Sequence, residues 1–380
     1  MRTPESELAA LRANALLRSL HPLASGQAPT VSRDGRTLVN FSSNDYLGLA
    51  TSGVLKQAAT RAITDYGTGS GASRLISGTL PPHRLLEEKL ATLKNTAAAL
   101  TFSTGYATAV GTLTALLTSG DIVIVDKLAH ACLIDGARLS GATLRVFPHN
   151  ELDKLASHLT WARRKATADA RVLVVTESVF SMDGDRAPLL EIASLTKQYD
   201  ALLLVDEAHA FGTVGPGGAG LAAGLGITGQ VDLHMGTLSK AAGCSGGYLC
   251  ASRPFIELVL NRARSFIYST APPPANAAVA AAAVDLIASP GGDALRTRLW
   301  QNIHTLSPQA TSPIIPHIIG PEQAALDTAR SLLESGFFAP AVRYPTVAKN
   351  SARLRLTITA AHTDTQLQAL KSALAGISPA

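Results

Sequence analysis

The chain has 380 residues, a formal net charge of +5 and a hydrophobic fraction of 46%. This length and composition are typical of a globular protein with a large core and room for two or three domains. Aromatic residues make up only 5% of the chain, so alanine and glycine fill much of the interior, which suits closely packed α/β layers. The basic residues are scattered along the sequence, and we therefore expect no nucleic-acid partner.

Three cysteines, Cys132, Cys244 and Cys250, form neither a metal-binding spacing nor an even disulfide set. We therefore expect no metal site and a reducing compartment, the cytoplasm. The N-terminus lacks the apolar core of a secretory signal. The most apolar stretch, 275–288, is interrupted by polar residues and is too short to span a membrane. It predicts a buried helix, and we expect no membrane partner.

The N-terminal part of the chain predicts helices around one strand. The expected helices cover 6–20, 55–65 and 82–94, and the strand covers 37–41. The glycine-rich segment 67–71 resembles a dinucleotide fingerprint only superficially, because such a fingerprint follows a strand and opens a helix. Here a predicted helix precedes it, so we expect a loop beside the functional site.

From residue 97 onward, short apolar runs alternate with helical stretches, which is the pattern of a parallel α/β sheet. The predicted strands are 97–101, 121–126, 142–147, 172–176, 201–205, 231–235 and 247–251, with helices at 107–117, 188–199, 255–264 and 275–288. Ligands of parallel sheets bind at the carboxyl ends of the strands. Asp206 and His209 directly follow one of these strands, so both are candidate functional residues.

One lysine, Lys240, lies in a run of small residues. Thr237 and Ser239 precede it, and three glycines follow it within seven residues. A lysine that forms a Schiff base needs space for a planar cofactor, hydroxyls for a phosphate and closely approaching backbone. By itself, however, the stretch is equally consistent with an ordinary loop.

Beyond residue 291 the pattern changes to short strands and helices of a smaller α+β domain. The predicted strands are 314–319, 337–343 and 353–359, and the predicted helices are 324–333 and 364–375. We therefore divide the chain into an N-terminal helix and strand segment (1–45), a large α/β domain (46–290) and a small C-terminal α+β domain (291–380).

Asp206, His209 and Lys240, in this order, resemble the pyridoxal-phosphate (PLP) enzymes of the aspartate-aminotransferase fold. An aspartate at the end of a buried strand needs a cationic partner, and a protonated pyridine nitrogen would be one. Together with these residues, further segments resemble the α-oxoamine synthase family from about residue 18 to the C-terminus. These segments are 41–49, 67–78, 237–240 and 352–356.

The resemblance implies the PLP-dependent transferase fold type I, in which a large domain with a mostly parallel sheet between helices carries a smaller C-terminal domain. It also implies a PLP-dependent acyltransferase that joins an amino acid to an acyl thioester with loss of carbon dioxide. The expected substrates are L-alanine and pimeloyl-CoA or pimeloyl-acyl carrier protein, in biotin biosynthesis. Three other pairs of amino acid and acyl thioester remain open alternatives, those of glycine C-acetyltransferase, serine palmitoyltransferase and 5-aminolevulinate synthase.

Four catalytic residues follow from the resemblance. Lys240 would hold the cofactor, Asp206 would pair with its ring nitrogen, His209 would bind its phenolic oxygen, and His130 would stack on its face. The further cofactor contacts it implies are Gly105, Tyr106, Ser181, Thr237 and Thr270.

The resemblance also implies substrate contacts at Arg18, His130, Thr346 and Arg355. Arg355 would clamp the amino-acid carboxylate, for which a guanidinium is suited because its donors are bidentate. Thr270 would reach the phosphate of a neighbouring subunit, so we expect a homodimer with shared active sites.

The chain departs from the family pattern in two places. Many relatives have serine on both sides of His130, where this chain has Ala129 and Cys132, and Asn350 ends a segment that is Val-Pro-x-Gly in relatives. Two other classes remain open: a PLP-dependent decarboxylase or aminotransferase, and a non-catalytic, nucleotide-binding α/β protein. Formation of an α-amino ketone would exclude the first, and cofactor absorbance would exclude the second.

Overall fold

The computed structural model describes residues 3–376. Contacts within the chain divide it into two compact units. The first unit combines both ends of the chain with a short internal segment and comprises residues 3–48, 182–184 and 298–376. The second unit comprises residues 49–181 and 185–297. It contains the parallel α/β pattern and Lys240.

Both units contain strands and helices. The strands of the described residues are β1 (Thr30–Arg33), β2 (Arg36–Asn40), β3 (Ala98–Phe102), β4 (Ile122–Asp126), β5 (Thr143–Phe147), β6 (Val172–Glu177), β7 (Leu202–Asp206), β8 (Leu233–Thr237), β9 (Gly247–Ala251), β10 (Ile314–Gly320), β11 (Phe337–Phe338), β12 (Ala341–Val342) and β13 (Ala352–Thr357). The helices are α1 (Pro4–Ala13), α2 (Gly53–Tyr66), α3 (Pro81–Leu93), α4 (Gly105–Leu116), α5 (Ala131–Leu139), α6 (Leu152–Lys165), α7 (Leu189–Gln198), α8 (Leu221–Gly224), α9 (Arg253–Arg262), α10 (Arg264–Ile267), α11 (Pro274–Ala288), α12 (Pro290–Leu306), α13 (Glu322–Glu334) and α14 (Asp364–Ala375).

The second unit is built on one seven-stranded sheet in the order β3-β9-β8-β7-β6-β4-β5. Strands β4 to β8 pair in parallel, whereas β9 is antiparallel to both β3 and β8. Every residue of β4, β6, β8 and β9 is buried, as expected for strands covered on both faces. The predicted mostly parallel sheet is confirmed. At its carboxyl edge, Asp206 pairs with Glu177 on one side and with Met235 on the other.

Close packing of α4 against β9 depends on a glycine. A Cβ atom on Gly247 would lie 2.3 Å from Thr108 Oγ1 and 2.7 Å from Gly105 Cα. Real Cβ atoms do not approach other atoms so closely, so β9 can pass the first turn of α4 only with glycine at this position. The first turn of α4 is thereby held near the end of β8.

Helix α11 corresponds to the apolar stretch that the sequence predicts to be a buried helix, and half of its alanines are buried. Among the helices of residues 3–376, none is by itself long and apolar enough to cross a membrane. Helices α11 and α12 meet that requirement only together, as a bent pair.

The first unit contains two three-stranded sheets. In one, β1 and β2 form a hairpin whose turn, Asp34–Gly35, has positive φ at both residues, as a two-residue hairpin turn requires, and β11 pairs in parallel with β2. In the other, β13 lies between β10 and β12 and is antiparallel to both. Arg353, Arg355 and Thr357 alternate along β13 and therefore share one face.

The helix predicted over 6–20 is wrong in its second half. Helix α1 ends at Ala13, the Asn14 side chain bonds back to a helix carbonyl, and Ala15 adopts a positive φ of 55°. No residue of α1 is buried, so no packing stabilises a longer helix. Arg18 consequently lies in an irregular segment.

The strand predicted over 337–343 is also wrong, because it is interrupted after Phe338. Pro340 has no N–H to donate and separates β11 from β12. The two fragments also join different sheets. The sequence analysis did not predict β1, α5 or α12, although the Asp34–Gly35 pair is a recognised hairpin signal.

A buried ion pair connects α3 with the turn after β7. Lys94 Nζ lies 2.5 Å from Glu207 Oε2 and 2.5 Å from the Ala219 carbonyl, and Glu207 Oε1 accepts a 3.0 Å hydrogen bond from Ala222 N–H. Both charged side chains are at most 2% exposed. Burial alone would raise the pKa of Glu207, but the charge of Lys94 and the nearby His234 lower it to about 2.

The Lys94–Glu207 pair holds the residue that directly follows Asp206. Glu207 also donates its backbone N–H to Met235 O at 2.8 Å, which connects the turn to β8. Gly220 leaves space for the carboxylate, since a Cβ at this position would lie 2.4 Å from Glu207 Oε1. The end of β7 is thus fixed through both side chain and backbone.

We expect Lys94→Met to lower the free energy of unfolding by about 3–5 kcal/mol, because it leaves the Glu207 carboxylate buried without its cation. Urea unfolding followed by circular dichroism measures this change. The matched control is Lys89→Met on α3, which removes a partly exposed pair with Asp285 and should cost at most about 1 kcal/mol. Equal losses in the two variants would contradict a special role for the buried pair.

Candidate active site

Lys240 and His209 meet at the carboxyl edge of the parallel sheet. Lys240 Nζ lies 2.9 Å from His209 Nε2. Each residue follows its strand by three positions, Lys240 after β8 and His209 after β7, and these strands are parallel neighbours. Because His209 is 3% exposed, its ring is held in place by packing. It can therefore orient the lysine amine.

Two carboxyl groups lie side by side at the same edge. Asp206 Oδ1 accepts a 2.9 Å hydrogen bond from Ala208 N–H. Burial raises the pKa of Asp206, and the charge of Lys240 opposes this effect. Glu177 is paired opposite Asp206 at the end of β6, and burial together with the Asp206 charge raises the pKa of Glu177 well above its usual range.

Sequence reasoning missed Glu177, although its position at the end of a buried strand was a usable signal. Within the described residues, Glu177 Oε1 is buried and has no hydrogen-bond partner. A buried polar atom of this kind is costly unless a ligand or another group pairs with it.

His130 precedes α5 and caps it. Its Nδ1 accepts a hydrogen bond from Cys132 N–H at 3.2 Å and lies 2.9 Å from Cys132 Sγ. Burial raises the pKa of the Cys132 thiol far above its usual range, so the thiol keeps its proton and can donate it to the ring. Partial burial lowers the pKa of His130 more than the Asp206 carboxylate raises it. Cys132 thus orients a neutral imidazole, and the departure from serine keeps a hydrogen-bonding neighbour.

An anion-binding arrangement is formed by the first turn of α4 and the loop after β8. Gly105 opens the helix, and Thr104 Oγ1 accepts a 3.0 Å hydrogen bond from Ala107 N–H. A Cβ on Gly105 would lie 3.3 Å from Thr237 Cβ, so this turn directly faces Thr237. The Thr237 and Ser239 hydroxyls are 2.7 Å apart. Helix N–H groups and hydroxyls together suit a phosphate.

Two further predicted cofactor contacts are Tyr106 and Ser181. Tyr106, the second residue of α4, donates its phenol to Asp135 Oδ2 at 2.8 Å and is half exposed. Ser181 is buried in the loop after β6. That loop begins directly beside Asp206, since Ser178 N–H donates to Asp206 O at 2.9 Å.

The Ser181 loop is held by a doubly bonded histidine. His149 Nδ1 lies 3.0 Å from Asp126 Oδ1, and its Nε2 lies 2.8 Å from Asp185 Oδ2. The edge of its ring contacts Phe180, with 4.3 Å between the ring centroids. The His149 side chain is only 24% exposed and bridges two carboxylates.

Thr270 contacts the glycine-rich loop 67–78. It pairs with Ser73 in an isolated bridge, and Ala271 N–H donates to Ala72 O at 3.0 Å. Large apolar side chains on both segments are exposed, Ile76 by 80% and Tyr268 by 71%. As predicted, a helix and not a strand precedes the loop, so it is no dinucleotide fingerprint.

The three remaining predicted substrate contacts, Arg18, Thr346 and Arg355, belong to the first unit. Arg355 is buried in β13 and donates through Nη1 to Asn44 Oδ1 at 2.9 Å and to Thr357 Oγ1 at 3.1 Å. Two segments that carry the family resemblance, 41–49 and 352–356, therefore meet at Arg355. Thr346 is exposed in a turn, and Arg18 is exposed after α1.

The loop that departs from the family pattern keeps a glycine-like backbone. Asn350, which stands where relatives have glycine, adopts a φ of 58°. Asparagine tolerates this left-handed conformation better than most residues. Ser351 N–H donates to Ala348 O at 3.1 Å and closes the turn, so the substitution does not unfold the loop.

The groups in the second unit fit PLP by their chemistry. A buried carboxylate, Asp206, suits a protonated ring nitrogen. The amine of Lys240 suits the aldehyde carbon, and the first turn of α4 with the Thr237 and Ser239 hydroxyls suits the phosphate. One unit thus contains a carboxylate for a cation, an amine for an aldehyde and an anion-binding turn for a phosphate.

Comparisons with known proteins agree with this arrangement. The aminotransferase class I and II family matches residues 36–374. The chain belongs to this family. It is 44% identical to an 8-amino-7-oxononanoate synthase of Geobacter sulfurreducens, over 99% of this chain and 98% of the relative, and 46% identical to one of Methylorubrum extorquens, over 98% and 94%. A serine palmitoyltransferase from S. paucimobilis, solved with a PLP–myriocin aldimine bound, superposes with a TM-score of 0.91 at 28% identity, over 98% of this chain and 96% of that chain.

These findings confirm three predictions from the sequence. The chain is an α-oxoamine synthase, it has the PLP-dependent transferase fold type I, and its cofactor is pyridoxal phosphate. The enzyme is a PLP-dependent acyltransferase, which excludes the non-catalytic nucleotide-binding alternative. The individual site residues remain predictions that the geometry described above supports.

The His149 network makes stability depend on pH. Burial alone would lower the pKa of His149, but its hydrogen bonds to Asp126 and Asp185 and their charges raise it to about 10. A histidine whose pKa is raised by folding stabilises the protein fully below its unfolded pKa of about 6.5, and this contribution is lost as the pH rises through the folded value.

We therefore expect His149→Gln to lower the free energy of unfolding most at pH 6, with a difference from wild type that shrinks as the pH rises toward 10. Urea titrations at several pH values measure it. His158→Gln, which replaces a histidine of α6 outside this network, should show no such trend. A His149→Gln difference that is independent of pH would mean that the ring contributes packing alone.

Proposed function

We propose that the enzyme condenses L-alanine with a pimeloyl thioester, carried by CoA or by acyl carrier protein, to 8-amino-7-oxononanoate and carbon dioxide, in biotin biosynthesis. One observation carries the proposal: relatives of this activity share 44–46% of their residues with nearly the whole chain. The Lys240, His209 and Asp206 geometry supports it, because these groups suit removal of a proton beside an amino group.

When bound, PLP supplies an electron-withdrawing ring that stabilises negative charge at the α-carbon of the amino acid. Lys240 would hold the cofactor through Nζ, and the same amine, when free, would take the α-proton of the amino acid. His209, 2.9 Å from that nitrogen, would orient it. Asp206 would keep the ring nitrogen protonated, and His130 would contact the ring.

The remaining roles belong to binding and orientation. Gly105, Tyr106, Ser181 and Thr237 bind the cofactor and its phosphate. Arg355 holds the carboxylate of alanine through charge-assisted hydrogen bonds. The α-carbon attacks the thioester carbonyl, the carrier thiol leaves, and the resulting β-keto acid loses carbon dioxide.

Arg18 and Thr346 contact the acyl thioester in this proposal. Both are exposed, as a residue at the entrance for a long acyl chain must be before the substrate binds.

We also propose that the enzyme is a homodimer in the cytoplasm. The exposed Ile76 and Tyr268 side chains, on segments joined by the Ser73–Thr270 bridge, form an apolar surface that a second copy would cover. Thr270 would then reach the cofactor phosphate of the partner. Cys132, Cys244 and Cys250, all within the described residues, form no disulfide, which is consistent with a reducing compartment.

The test is a substrate panel. The PLP-loaded enzyme is incubated with alanine, glycine or serine and with pimeloyl-CoA, acetyl-CoA or palmitoyl-CoA, and products are identified by mass spectrometry. We expect 8-amino-7-oxononanoate from alanine and pimeloyl-CoA. Lys240→Ala should lower turnover by more than about 100-fold and abolish the visible band of the bound cofactor, whereas Lys165→Ala on α6 should change neither. A preference for serine with palmitoyl-CoA would contradict the proposed activity and would indicate a serine palmitoyltransferase.

We expect Arg355→Ala to raise the KM for alanine about 10- to 100-fold, because a charge-assisted hydrogen bond contributes about 1.5–3 kcal/mol. The KM for the thioester should change little. Arg355→Lys keeps the charge but not the bidentate geometry and should be intermediate. Arg353→Ala, which breaks an ion pair with Asp183, is the control for a purely structural loss. An increase confined to the thioester KM would move the carboxylate site elsewhere.

A further inference from the structure

The first unit contains a groove of about 700 Å³ whose lining is strongly basic. It lies between the end of α1 with the segment that follows it, the end of β1, helix α13 and the segment around β11 and β12. Its basic lining residues are Arg12, Arg18, His21, Arg33, Arg330 and Arg343. Among the lining residues in the described part of the chain there is no aspartate and no glutamate. The groove is therefore a site of positive potential.

Two of the guanidinium groups repel each other across the groove. Burial lowers the pKa of Arg343, and the charge of Arg18 lowers it further, against the opposite effect of Glu322. The two arginines bond to backbone carbonyls: Arg18 Nη2 lies 3.4 Å from Tyr344 O, and Arg343 donates to Ala15 O. A guanidinium has five N–H donors, so this pair is suited to binding an anion.

The carboxylates that act on these arginines, Asp34, Asp327 and Glu322, are not among the residues that line the groove. Arg33 pairs with Asp34 at 3.2 Å and Arg330 pairs with Asp327 at 3.4 Å. Both carboxylates are more than half exposed, 74% and 53%. In the Arg330–Asp327 pair both side chains are exposed, and such pairs are weak and screened by salt, so an incoming carboxylate can compete for Arg330.

Apolar side chains alternate with the arginines. The guanidinium of Arg33 lies 5.4 Å above the centre of the Phe338 ring, and the other apolar residues of the lining include Leu17, Leu326, Leu333 and Pro340. Arginine and aromatic side chains beside aliphatic ones are the composition that protein interfaces favour.

We propose that this groove is the docking surface for an acidic acyl carrier protein that delivers the acyl thioester. The inference rests on the proposed function, which already allows a carrier-bound thioester, and extends it by assigning the carrier a docking surface. It includes Arg18, which the proposed function already places at the entrance for the thioester.

The distribution of charge favours a protein over a small anion. One or two guanidinium groups satisfy a single carboxylate or phosphate, whereas these five arginines are spread over separate elements of the chain. Arg12 and Arg330, at the end of α1 and on α13, are exposed. A row of acidic side chains on a helix would contact several of them together. Such complementarity raises the association rate, and added salt lowers that rate steeply.

The direct test measures binding without catalysis. A fluorescently labelled holo-acyl carrier protein is titrated with the PLP-loaded enzyme, and anisotropy gives Kd at low and at physiological salt. We expect Arg12→Glu combined with Arg330→Glu to weaken binding at least about 10-fold at low salt, since each reversal replaces attraction with repulsion. The matched control is Arg164→Glu, an exposed arginine on α6 outside the groove, which should bind like wild type. Equal Kd values for all three proteins would overturn the proposal.

Kinetic measurements distinguish recognition of the carrier protein from recognition of the phosphopantetheine arm, which the carrier and CoA have in common. The double variant should lose at least about 10-fold in kcat/KM with the pimeloyl carrier and keep its kcat/KM with pimeloyl-CoA. Equal losses with both thioesters would mean that the groove binds the arm or the acyl chain, and would overturn carrier docking. If neither thioester reacts with wild type, the proposed function fails, whereas the anisotropy titration still decides whether the groove binds the carrier.

Discussion

Two adjacent carboxylates, Asp206 and Glu207, are both buried at the end of β7, and the structure compensates them differently. Glu207 has Lys94 at 2.5 Å and stays ionised. Asp206 has a backbone N–H and the charge of Lys240, and burial raises its pKa. A buried carboxylate without a cation in direct contact attracts one strongly. This environment supports the proposed pairing of Asp206 with the ring nitrogen of the cofactor, and the Lys94–Glu207 pair fixes the residue that follows Asp206.

The fixed position of Asp206 at the end of β7 also explains why the site needs three neighbouring strands. Asp206 ends β7, Lys240 follows β8, and the first turn of α4 approaches the end of β8 only because Gly247 has no side chain. Neighbouring strands lie about 4.8 Å apart, and the order β9-β8-β7 brings the groups that follow them to one edge of the sheet. The site therefore depends on strand order more than on any single loop.

The central sheet and the residues at its edge could be predicted from the sequence because they depend on local patterns. Short apolar runs predicted every strand of the large sheet, and the order of Asp206, His209 and Lys240 predicted their shared edge. The buried Lys94–Glu207 pair could not be predicted, because the sequence around Lys94 is that of an ordinary exposed helix end. The helix predicted past Ala13 ends because the Asn14 side chain bonds to Ala10 O and Ala15 adopts a positive φ, and no buried face stabilises a continuation.

The basic groove of the first unit also could not be predicted from the sequence. Arg12, Arg33, Arg330 and Arg343 are far apart in sequence, and a net charge of +5 indicates no basic patch. The fold of the first unit combines residues 3–48 with 298–376 and thereby gathers these charges in one groove, whose lining in the described part of the chain has no carboxylate. Collecting like charges costs free energy unless a counter-charge offsets it. The repulsion among the arginines remains in the free enzyme. An acidic partner that binds in the groove offsets this repulsion, which favours binding.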